Sequence, residues 1–214
     1  MKKIKVPLIP ELDEIKIDAA GSLLVKKSKE HAIDVLNWPE SFNYLPDSKF
    51  NIARTNNNLW IHFRVTEQNV KAVHLVDQEE VWKDSCVEFF VKLPYAEKYS
   101  NFEFNCIGTC LSTRRKSRTE DVVPLSPEEM QTIKRFASLG NQKIELKGKS
   151  EWQLTVKIPF KILSFENSLS IITIYGNFYK CGDETAKPHY VSWSKINTEQ
   201  PDFHQPDFFG MLEL

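Results

Sequence analysis

The segment CVEFFVKLPYAEKYSNFEFNCIGTCL (Cys86–Leu111) decides the fold. In Cys86–Leu93, Val87, Phe89, Val91 and Leu93 take every second position, with Glu88, Phe90 and Lys92 between them. Asn101–Leu111 continues the pattern, setting Phe102, Phe104 and Cys106 against Asn101, Glu103, Asn105 and Ile107. Successive side chains of an extended chain point to opposite faces, so each run predicts a strand with one wholly apolar side. The other sides mix carboxylates and an amide with aromatics, where a merely solvated face more often carries lysine and threonine.

Working outward, Lys49–Thr55 and Leu59–Thr66 flank Asn56-Asn57-Asn58, a hairpin signature with asparagine at the turn. Leu59, Ile61, Phe63 and Val65 share one face, and Trp60, His62, Arg64 and Thr66 the other. Ile33–Trp38 reads as a short strand ending at Pro39, and Lys143–Lys147 with Trp152–Ile158 as a second hairpin. Leu169–Lys180, Tyr190–Ser194 and Phe208–Leu214 complete some nine to eleven strands, with Trp193 assigned to the core. One short inserted helix is expected from Ser126-Pro127-Glu128-Glu129, a capping box with proline at the first helical position, running towards Gly140. Residues 1–25 read as an extended, proline-punctuated arm. With no domain-sized linker and no repeat, residues 1–214 are expected to form one all-β sandwich domain.

At 214 residues, 41% hydrophobic and 27% charged, the chain can bury a core without disulfides or metal. Seven glycines argue against phosphate-cradling loops, and a net charge of −1 makes no global claim on nucleic acid or an anionic membrane. Arg114, Arg115, Lys116 and Arg118 are followed at once by Glu120 and Asp121, and no aromatic interleaves with them, so they read as a solvated loop. Neither a secretory signal nor a membrane-length apolar run is present, which predicts a cytoplasmic protein, or a secreted or periplasmic one if a leader has been removed. Cys86, Cys106, Cys110 and Cys181, at spacings of 20, 4 and 71 residues, match no zinc or redox motif. Cys86 and Cys106 read as small buried thiols, and no metal site follows.

Four segments in order, VWKDSCVEFFV (Val81–Val91), NFEFNCIGT (Asn101–Thr109), GNFYKCGD (Gly176–Asp183) and PHYVSWSKI with PDFHQPDFFG (Pro188–Ile196, Pro201–Gly210), resemble the family 9 carbohydrate-binding modules in their stand-alone bacterial form. The resemblance implies an immunoglobulin-like or jelly-roll sandwich of the DOMON-related type. Sugar would sit between two aromatic side chains in a cleft, bound and not transformed. Trp82 matches the first clamp tryptophan and Glu88 the ligand-binding glutamate. The second clamp position falls near Phe203, Glu103 stands where an arginine is expected, and Tyr175 where a glutamine is. Relatives include some with structural calcium. Asp77, Asp84, Asp183 and Glu184 offer oxygens, but without a ligand-loop pattern.

The chemistry agrees with that reading. A flat ring covers the apolar face of a pyranose at little entropic cost, and its hydroxyls donate to carboxylates and accept from amides or basic groups. Glu88, Glu103 and Asn105 share a sheet face by period-two spacing, and Asn177, Lys180 and His204 are further candidates for the cleft. Three other readings stay open. Glu88 with Glu103 or Asp183 offers the carboxyl pair of a glycoside hydrolase, although none of the common catalytic motifs is present. Haem would need Met130 or Met211 with His62, His74, His189 or His204. An interaction protein with a decayed sugar site is the third. Oligomeric state does not follow from the sequence.

Overall fold

Leu59, Ile61, Phe63 and Val65 share one apolar interior with Val87, Phe89, Val91, Phe102 and Phe104. That shared interior is the filling between two sheets. The computed structural model describes residues 1–163 and 173–214. The first sheet runs in the order β1 (Lys3–Lys5), β16 (Gly210–Glu213), β14 (Thr173–Cys181), β7 (Cys86–Lys92), β8 (Tyr99–Asn105), β9 (Cys110–Arg115) and β10 (Val123–Pro124). At its side β15 (Tyr190–Ser192) pairs with β14 and with β3 (Val35–Leu36). The second sheet runs β11 (Lys134–Ala137), β13 (Lys149–Pro159), β5 (Asn58–Gln68), β4 (Asp47–Arg54) and β2 (Glu30–Ala32). A separate pair joins β6 (Lys71–Ala72) to β12 (Ile144–Glu145). These ladders are antiparallel, except that β1 lies parallel to β16. The expected hairpin is β4–β5, its turn held by Thr55 Oγ1, which accepts from the Asn57 and Asn58 amides.

Both sheets are partly covered on their outer faces. Over the second sheet lies α1 (Ile17–Lys27), whose Ala20 and Leu24 pack with Leu12 on Ala53 and Trp60. Residues 1–25 are therefore not an extended arm: they supply β1, a 3-10 turn at Pro10–Glu14 and most of α1. The helix was hidden because Lys16 at its N-cap makes no side-chain cap and Gly21 interrupts its stripe. That glycine has a steric reason, since a Cβ there would stand 2.6 Å from His62 Cε1 and 3.0 Å from Thr155 Oγ1. His62 and Thr155 are buried and bonded to each other at 2.9 Å, so they have little room to give way. Gly21→Ala is expected to lower stability by about 1–3 kcal/mol despite alanine's higher helix propensity. A urea unfolding midpoint equal to or above the parent's would refute this close fit.

Three further expectations change. The capping box is present, with Ser126 and Glu129 bonding reciprocally, but α2 spans only Pro127–Thr132. Lys134–Ala137 leaves the helix to become β11, where pairing with β13 satisfies its backbone and Arg135 reaches Asp77. Residues 143–147 do not form a hairpin with β13, because β12 pairs with β6 instead. The run Asn101–Leu111 is two strands, broken at Gly108, whose φ of 86° sits in the left-handed region. Residues 169–172 of the expected Leu169–Lys180 strand lie outside the described residues, and β14 carries the rest. Trp193 is buried in the core as expected.

Candidate carbohydrate site

The outer face of the first sheet carries a cavity of about 360 Å³, a size typical of small-molecule sites. Its floor is set by strand register. Glu88 on β7 stands directly opposite Glu103 on β8, so both carboxyls rise from the same face. On β9, Leu111 pairs with Glu103, and period-two spacing brings Thr113 and Arg115 to the same side. A row of hydrogen bonds ties this floor together. Arg115 Nε donates to Thr113 Oγ1, Thr113 to Asn101 Oδ1, and Asn101 Nδ2 to Glu103 Oε1. Glu103 Oε2 is buried and has no partner, while Glu88 Oε1 accepts from the Cys181 thiol at 3.0 Å.

The walls come from the strand ends and the loops beside them. Trp82, in the turn before β7, is half-buried, with the Lys83 ammonium 5.3 Å from its ring. Tyr190 is half-buried beside Asp183. Phe203 is 8% exposed and lies flat on Tyr179, ring centres 4.2 Å apart, so one of its faces is already taken. His204 Nδ1 is bonded to the Tyr99 hydroxyl at 2.8 Å.

Burial dominates the electrostatics. It pushes Glu103 up to about 7, partly offset by the Arg115 guanidinium and the Asn101 amide, and Asp183 up to about 6. Glu88 is raised well above the carboxylate range by burial and by Glu103 opposite it. His204 is lowered to about 3 by burial and Arg115, so its imidazole is neutral. The facing carboxyls can therefore present a protonated donor and an ionised acceptor side by side, next to a fixed guanidinium.

Of the residues expected at the site, Trp82, Glu88, Glu103, Phe203 and His204 line this cavity, and four do not. Asn105 holds the turn after β8, accepting from the Ile107 and Thr109 amides and donating to Asp84 and the His74 carbonyl. Asn177 pins the loop after β15 through the Ser194 amide and carbonyl. Lys180 shares the inward face of β14 with Phe178 and meets Glu67 between the sheets. Tyr175 lies on the outer face and packs against the aromatic cluster that holds Phe90, Tyr179 and Phe209, but does not line the cavity.

Sequence reasoning missed Arg115, Arg118, Asp202 and Tyr190, and weighed Asp183 only as a hydrolase partner or calcium ligand. The basic cluster is not simply a solvated loop: Arg115 and Arg118 line the cavity, and Arg114, pointing the other way, pairs with Glu129. The missing signal was the break at Gly108. Once the chain turns there and β9 runs back beside β8, Leu111 comes opposite Glu103, and Thr113 and Arg115 follow along the same face.

The oxygens weighed for calcium do not converge. Asp77 is paired bidentately with Arg135, Asp84 accepts from the Val73 and His74 amides, and Glu184 faces Lys83 and Lys71. Asp183 stands in the cavity wall. Those four residues do not fit a shared calcium site.

The model of carbohydrate-binding family 9 matches residues 18–214. A crystal structure of a candidate carbohydrate-binding protein from Bacteroides uniformis is 36% identical, with a TM-score of 0.88 over 99% of this chain and 97% of its own. A family 9 module from Caldicellulosiruptor kristjanssonii in complex with glucose superposes with a TM-score of 0.59 at 13% identity, over 100% of this chain and 95% of its own. The cellotriose complex from the same organism gives 0.60 at 13% identity, over 100% and 93%. At that identity the likeness shows the fold alone. No curated protein matches the sequence. The match over nearly the whole chain and the 36% identical relative place the protein in carbohydrate-binding family 9.

Proposed function

We propose that this carbohydrate-binding protein takes its sugar, a mono- or oligosaccharide, in the cavity between Trp82, Tyr190 and the edge of Phe203. The observation that carries this reading is a half-exposed indole standing beside two facing carboxyls and an arginine. The indole and phenol cover apolar C–H faces, and Glu88, Glu103 and Arg115 grip the hydroxyl rim. Tyr190 offers more free ring surface than Phe203, whose face is stacked on Tyr179.

The same geometry favours binding over hydrolysis. Hydrolysis needs two carboxyls flanking the scissile bond from opposite sides. Glu88 and Glu103 come from adjacent strands of one sheet face and look in the same direction, so they make one grip and not a pair of jaws.

Glucose and cellotriose, the ligands of the Caldicellulosiruptor kristjanssonii module, are the first probes. Saturable quenching of tryptophan fluorescence is expected, and Trp82→Ala should weaken binding at least about tenfold, or about 1.4 kcal/mol. Wild-type affinity in Trp82→Ala would remove the indole from the site. A broad glycan panel with no binding at millimolar sugar would remove the cavity's proposed role altogether.

A further inference from the structure

The carbohydrate reading leaves two buried thiols unexplained, one of them lining the cavity. Cys86 opens β7, Cys181 closes β14, and their register sets them directly opposite each other. Glu88, two residues after Cys86, shares that face. One ligand atom each from Cys86, Glu88 and Cys181 lies within 4.8 Å of the other two, and the Cys181 sulfur is 3.0 Å from Glu88 Oε1. All three side chains are buried, yet Cys181 and Glu88 line the cavity, which supplies a way in.

We infer that Cys86, Cys181 and Glu88 form a site for a thiophilic divalent cation, zinc being the ion whose preferences they fit. Zinc takes thiolate sulfur at about 2.3 Å and carboxylate oxygen at about 2.0–2.2 Å in a tetrahedron, so ligand atoms around it stand roughly 3–4 Å apart. The three donors already lie within 4.8 Å of one another and are carried on two paired strands, which hold their backbones fixed. Calcium and magnesium prefer shells of oxygen and are poorly served by two sulfurs. Three protein ligands leave a fourth position, which water from the cavity completes. Both thiols must give up protons on binding. Binding therefore releases protons and tightens as pH rises.

This inference does not depend on sugar binding, although Glu88 belongs to both. The test titrates zinc chloride into reduced protein against a chromophoric chelator, and repeats the titration with cobalt(II) to look for sulfur-to-metal charge transfer in the near ultraviolet. One zinc per chain and a charge-transfer band are expected. Cys86→Ser and Cys181→Ser should each weaken zinc binding at least about tenfold, and Cys106→Ser, on the opposite face of the sheet, should not. No stoichiometric zinc, or cobalt bound without the sulfur band, overturns the site. The cobalt spectrum uses the unaltered protein, so it decides even if a serine variant fails to fold. Fluorescence titration with glucose and cellotriose in metal-free protein is scored separately, so that either reading can fail alone.

Discussion

Lys180→Met is expected to lower the unfolding free energy by about 3–5 kcal/mol. The lysine is fully buried between the sheets, its ammonium 3.0 Å from Glu67 Oε2, 2.8 Å from His189 Nε2 and 2.8 Å from the Cys181 carbonyl. Burial and Lys180 hold His189 well below the usual histidine range, so the ring is neutral. Its Nδ1 donates to the Lys187 carbonyl at 2.7 Å, which leaves Nε2 free to accept from the lysine. Glu67 is fixed in turn by the Trp152 indole N–H at 2.7 Å. Methionine fills the stem's space but strands the Glu67 carboxylate without its cation. Replacing both partners, as Lys180→Met with Glu67→Met, should recover much of the loss, because an ion pair removed whole leaves no orphaned charge. Urea denaturation of the single and double variants separates these cases. A single variant within about 1 kcal/mol of the parent would show that the pair contributes nothing.

The second large effect depends on pH. Glu103 titrates near 7 in the folded protein, against 4.5 for an ordinary glutamate. Between those values the folded chain keeps a proton that the unfolded chain releases, so stability falls as pH rises through the window and stays low above it. Each tenfold difference in proton affinity between the two states is worth about 1.4 kcal/mol, so the loss is on the order of 3 kcal/mol. Glu103→Gln cannot ionise and keeps an oxygen for the Asn101 amide. It should match the parent near pH 4.5 and exceed its stability by about 2–3 kcal/mol near pH 8. Glu88, also raised by burial and facing Glu103 across the strand pair, leaves the variant with some slope of its own. Thermal or urea midpoints across that range check it. A gap between parent and variant that does not widen with pH would mean that Glu103 is not the buried group that holds the proton.

Those two residues also show what was legible in the sequence and what was not. Alternation at Leu59–Val65 and Val87–Val91 named the inward faces directly, because both runs bury one side against a continuous core. It also carried the information that Lys180 points inward, in step with Ile174 and Phe178, but a lone buried lysine is rare enough to be read as cleft lining. The facing of Glu88 and Glu103 required the register of two strands joined by a six-residue connection, and nothing local fixes that. Resemblance points to Phe203 as the second aromatic wall, whereas packing gives half-buried Tyr190 the more open ring. Asn105 and Asn177 mislead because a strand amide serves equally to bind a ligand or to close a turn. Only the neighbouring backbone tells which.

The parallel seating of β1 beside β16 has a mechanical consequence. Lys3 lies alongside Met211 and Lys5 alongside Glu213, with the first strand entering where the last one begins. Tension between the two ends of the chain would drag these strands past each other lengthwise, loading their hydrogen bonds all at once and not one by one. The edge of the first sheet thus acts as a clasp, and force along the chain meets it before it reaches the strands that hold the cavity.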